Sequence, residues 1–88
     1  MANKKSAEKR NRQMIKRRAR NRARRSLLRN AVKELRQAVD SGDASKAQEL
    51  LPTTLGIVDV TAQKGVIHRN AAARTKSRLT LAVAGLGS

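Results

Sequence analysis

Apolar residues recur at helical spacing in three stretches of the chain. Leu28, Ala31, Val32, Leu35, Ala38 and Val39 form one stripe, and Ala44, Ala47, Leu51, Leu55, Val58 and Ala62 a second. A third runs Ile67, Ala71, Thr75, Leu79, Ala82 or Val83, and Leu86. Steps of three and four put each set on one side of a helix. Ahead of the first stripe the chain is polar, yet from Ser6 to Asp40 it contains no Gly or Pro and consists mostly of good helix formers. Ser41-Gly42-Asp43 then reads as a stop followed by a start. Gly42 suits the left-handed position after a helix, and Asp43 suits an N-cap. Lys64-Gly65 ends the second stripe in the same way. The pattern predicts an all-α, antiparallel three-helix bundle, one domain over 1–88, with helices over about 6–40, 43–64 and 68–86.

The middle helix carries conflicting signals. Pro52 removes a backbone donor, Gly56 loosens the following turn, and Thr53 through Thr61 is rich in β-branched residues. Propensity alone allows a strand over 56–61, but no second strand-like segment exists to pair with it. A helix with a kink or irregular turn near Pro52 is the expectation. Leu51, Leu55, Val58 and Leu79 are expected in its core.

Composition narrows the function. The chain has 88 residues, 21 Lys or Arg against 6 Asp or Glu, a formal charge of +15, one His, no Cys and no aromatic residue. A domain so short buries only about 60–65% of its unfolded surface, and the like charges oppose even that. Such a chain needs a polyanion to complete it. Without Cys there is no disulfide or thiolate metal site, and no apolar run approaches the ~20 residues of a membrane span. A single His offers no set of metal ligands, and no nucleophile–base pair is evident. These absences predict a non-enzyme with no cofactor, no metal, no small-molecule substrate and no membrane partner.

The charge divides unevenly. Residues 1–29 carry a net +12, residues 30–63 a net −2, and residues 64–88 a net +5. Two segments therefore face a polyanion and the acidic middle, with Glu49 and Asp59 toward solvent, faces away. On a helical wheel Arg10, Arg17, Arg24 and Ala31 share one row, so the side that packs on protein after residue 27 is lined with arginine before it. Lys9, Arg12, Lys16, Arg18, Arg20, Arg22 and Arg25 cover the other directions. The first half of the helix is expected to project from the bundle as a rod of roughly 30 Å. With no Phe, Tyr or Trp on which to stack bases, the chain should read the shape of structured nucleic acid through phosphates and sugars.

Two stretches go further. Asn3-Lys4-Lys5-Ser6-Ala7, then Asn21, Arg24-Arg25-Ser26 and Arg29, resemble the first helix of bacterial small-subunit ribosomal protein twenty. Lys64-Gly65-Val66-Ile67-His68-Arg69-Asn70, continuing through Ala72-Ala73-Arg74 and Lys76, resembles that family's third-helix signature. The resemblance spans the chain without large gaps, with Pro52 and Gly56 as the departure. It implies a three-helix bundle in the small subunit of the cytoplasmic ribosome, binding 16S ribosomal RNA directly at the lower part of the particle and helping RNA helices pack during assembly. Carried over by position, the contacts would be the first-helix motif together with Lys64, Gly65, His68, Arg69, Asn70, Arg74, Lys76 and Arg78. The protein is expected to be a monomer outside the ribosome.

Other readings of the same residues are weaker. An organellar presequence needs an apolar side, and Met14 with Ile15 supplies little. A leucine zipper needs three or four heptads, and only Leu28 and Leu35 precede Gly42. A membrane-lytic helix lacks Trp or Phe. A small architectural, histone-like DNA protein is the principal alternative, because phosphate affinity does not tell DNA from RNA. His68 and Asn70 are open between capping the third helix and touching RNA, and Gly65 between a helix terminus and close approach to a phosphate.

Overall fold

A computed structural model describes residues 2–86, with side chains described from Lys5 onward. The protein is all-α: α1 spans Ala2–Asp40, α2 Ala44–Gln63 and α3 Arg69–Leu86. α1 thus starts four residues ahead of Ser6. No strand occurs among the described residues, which removes the alternative for 56–61.

The ends of α1 and α2 are set by sequence in the same way. Gly42 and Gly65 both have φ of 74°, a region costly for any residue with a Cβ. At the first, the Gly42 N–H donates to Val39 and the Asp43 N–H to Ala38; at the second, Gly65 donates to Ala62 and Val66 to Thr61. These paired bonds are Schellman motifs, which satisfy carbonyls a helix end leaves open. Asp43 also begins the next helix, its carboxylate accepting from the Lys46 N–H at 3.1 Å. One short segment therefore closes α1, reverses the chain and opens α2.

α2 lies against both other helices, whereas α1 and α3 meet only lightly. The main cluster joins Leu35 and Ala38 of α1, Ala47 of α2, and Leu79 and Val83 of α3, with Val32, Val39, Leu50, Leu51 and Leu86 around it. Val58, later in α2, and Ala72, in the first turn of α3, are buried as well. The stripe expected on α2 is rotated. Thr54 and Thr61 are buried while Leu55 and Ala62 are half-buried. α2 packs on both α1 and α3, so its buried line is set by two neighbours and not by its apolar stripe alone. Each threonine hides its hydroxyl by donating to its own helix, Thr54 to the Leu50 carbonyl at 2.9 Å and Thr61 to that of Ile57 at 2.6 Å. On α3 the buried line likewise starts at Ala72 and leaves Ala71 exposed.

The irregular turn expected at Pro52 is absent, since α2 is helical through it. The physical reason is position. Pro52 and Gln48 are both exposed, so the Gln48 carbonyl that proline deprives of a donor can be hydrated.

The molecule measures 67 × 21 × 15 Å with a radius of gyration of 17.8 Å. A compact chain of this length would have about 12 Å. The excess is the N-terminal half of α1.

Candidate nucleic-acid interface

Residues 5–20 of α1 are exposed without exception, and the first half-buried side chains are Asn21 and Arg24. Lys5, Ser6, Lys9, Arg10, Arg12, Lys16, Arg17, Arg18 and Arg20 therefore stand on a rod open on every side, with Arg22, Arg25, Ser26 and Arg29 exposed beyond it. Asn3 and Lys4 belong to α1 by backbone, but their side chains lie outside the described residues. Glu8 is the one acid in the first 29 residues, and no ion pair engages a rod side chain among the described residues. A helix whose cations are unpaired on all sides can neutralise anions that approach from several directions.

The change of role along α1 comes earlier than residue 27. The C-terminal half of α2 reaches back beside α1, and Arg24 lines a groove there with Leu27, Ile57 and Thr61. An arginine can occupy such a border because its methylene stem packs while its head stays in water. Arg24 is thus both a bundle residue and a basic one.

α3 sorts its polar residues by side. Asn70, Arg74 and Arg78, four residues apart, form an exposed row about 12 Å long at 1.5 Å per residue. Arg78 also borders the cleft where α3 meets Arg36, Val39 and Asp40 of α1. Lys76 is elsewhere. Its Nζ lies 2.8 Å from a carboxylate oxygen of Asp59, tying α3 to α2. Asp59, expected to face solvent, is exposed but paired, and Lys76 is not a free cation of the interface.

The α2–α3 connection places Lys64, Gly65, His68 and Arg69 together on the surface. His68 caps α3: its Nδ1 accepts from the Asn70 N–H at 3.0 Å. That leaves the Asn70 side chain in the row with Arg74 and settles which of the two residues caps the helix. Gly65 owes its place to its positive φ.

Sequence reasoning left Arg36, at the α1–α3 cleft, and the groove beside Arg24 without a role. Gly56 inside a helical stretch was the signal for the second.

A helical bundle with a naked basic rod at one end and a basic row on its third helix defines a class: small, all-α proteins that work through an electropositive surface. Comparison with known proteins narrows the class. The model of the ribosomal protein S20 family matches residues 2–84, and the chain belongs to that family. It is 49% identical over 86 residues to the small ribosomal subunit protein bS20 of Burkholderia multivorans, covering 98% of this chain and 96% of the relative. The bS20 proteins of Burkholderia cenocepacia and Burkholderia vietnamiensis are 48% identical over the same share of each chain. The resemblance to the small-subunit ribosomal family is borne out. The family is one of structural ribosomal proteins, not of enzymes.

Proposed function

We propose that the protein is a structural constituent of the small ribosomal subunit in the cytoplasm, a monomer before assembly, and that it binds 16S ribosomal RNA directly. The observation that carries the RNA contact is the rod over 5–20, fully exposed, basic on all sides and without a protein face. α1 engages phosphates on several sides, and the Asn70–Arg74–Arg78 row of α3 engages a second RNA segment. α2 stands between these two surfaces as a spacer, so the clamp works by fixing their separation.

Neutralising the cations on each surface removes the repulsion that opposes bringing the RNA segments and the helices together. Lys64 and Arg69, at the α2–α3 end, extend the contact along the bundle. Arg17→Ala with Arg18→Ala should weaken 16S RNA binding at least tenfold at physiological salt, by the counterion-release relation for two lost phosphate contacts. Asp43→Ala, remote from both surfaces, should leave affinity within about twofold while lowering stability through the lost cap. The reverse order would misplace the interface. Recovery of duplex DNA, and no ribosomal RNA, with the native protein would replace the ribosomal reading with an architectural one.

A further inference from the structure

Gly56 sits in the interior of α2, where glycine is a poor helix former. Nothing inside the molecule requires it. Its φ is not positive, and a Cβ built there meets no atom within 4 Å. The open space above it is a groove of about 310 Å³ between α1 and α2, walled by Leu27, Ile57 and Val60, with Arg24 as the only charged residue in its lining. Leu27 and Val60 are 58% and 51% exposed, a large uncovered apolar surface for a molecule with so thin a core. The nearest acid in sequence, Asp59, is engaged by Lys76 on the α3 side.

Charge decides what fits. Arg17 and Arg20 continue from Arg24 toward the rod at steps of three and four, so the groove is the terminus of a basic row. An occupant must present a flat apolar face and arrive on a polyanionic strand. A neutral or basic protein segment would gain nothing from that row or be repelled by it, whereas a strand with a phosphate at every residue is drawn along it. Unstacked bases on structured RNA meet both conditions, and guanidinium planes stack on them.

We propose that the groove receives one unstacked nucleobase of the bound RNA, its face against Leu27 and Val60, with Arg24 closing over it. Gly56 leaves room for the base to rest on the α2 backbone. This rests on the RNA binding proposed above, and it gives α2, whose net acidity points it away from RNA, a direct contact of its own.

Gly56→Leu fills the groove from its floor and removes no cation. The free variant should melt at or above the wild-type temperature, because leucine is the better helix former. Its affinity for 16S RNA should fall about fivefold or more, the order expected when one base face can no longer bury against apolar side chains. The slope of log affinity against log salt should keep its wild-type value, since no phosphate contact is lost. Gly56→Ala, a smaller obstruction, should fall between the two. Chemical probing should show one nucleotide protected by the wild-type protein and reactive in the Gly56→Leu complex. Wild-type affinity and unchanged probing with a folded Gly56→Leu would overturn the proposal, as would a loss of affinity accompanied by a shallower salt slope. Failure of the wild-type protein to bind 16S RNA is a different result and would overturn the RNA reading itself.

Discussion

Single residues set where the helices stop and how they meet. Gly42 is the clearest case, because its φ of 74° would force any Cβ against the following carbonyl. Gly42→Ala should cost about 1–2 kcal/mol and lower the melting temperature by several degrees, read by thermal circular dichroism. An unchanged melt would mean that the turn tolerates a different backbone. Both this glycine and the Asp43 cap are legible in the sequence, since their chemistry is local. Thr54 and Thr61 are not. Their burial depends on α2 being enclosed on two sides, and on each hydroxyl finding a carbonyl four residues back. Because those carbonyls already accept backbone bonds in the helix, Thr54→Val should leave no buried group unsatisfied. Its stability should stay within about 1 kcal/mol of the original or rise, measured by denaturant unfolding.

At the scale of elements, α1 is a helix at odds with itself. Lys5–Lys9, Arg12–Lys16, Lys16–Arg20, Arg18–Arg22, Arg20–Arg24 and Arg25–Arg29 are like-charge pairs at four-residue spacing, each unfavourable by roughly 0.2–0.5 kcal/mol. Over residues 6–26 nothing packs against most of the helix to offset them. Amides there should exchange rapidly in the free protein and gain protection on RNA addition. Full protection without RNA would contradict the coupling. Between α2 and α3 the Asp59–Lys76 pair is 51% and 39% exposed at its two side chains, so it should contribute no more than about 1 kcal/mol. Asp59→Asn should therefore change stability little and strengthen RNA binding, because it removes an acid and releases a lysine. Weaker binding in a folded Asp59→Asn would show that Lys76 is useful only where the pair holds it. Charge by segment made the basic helices legible, and the third-helix motif marked Lys76. The pairing across helices could not be seen, because it needs the register of α2 against α3.

The whole molecule is a lever with unequal ends. Its 67 Å length exceeds the bundle, and residues 1–29, whose first part projects, carry a net +12 of the +15. α2 separates the two basic surfaces, since α1 and α3 scarcely touch. A free charge of +15 on so thin a core makes the fold and the partner parts of one equilibrium. The all-α architecture and the polyanion partner followed from spacing and charge, and family membership supplies the ribosomal setting. The relation between the two surfaces was legible only once α2 was seen to lie between them. The central claim is that phosphate neutralisation over many contacts holds this protein on RNA. Its most direct test is the equilibrium affinity for 16S RNA as a function of salt. With six or more phosphates engaged, log affinity should fall against log salt with a slope of about −5 or steeper, by the duplex rule of roughly −0.9 per contact. A slope near about −1 would mean a single phosphate contact and would contradict the clamp.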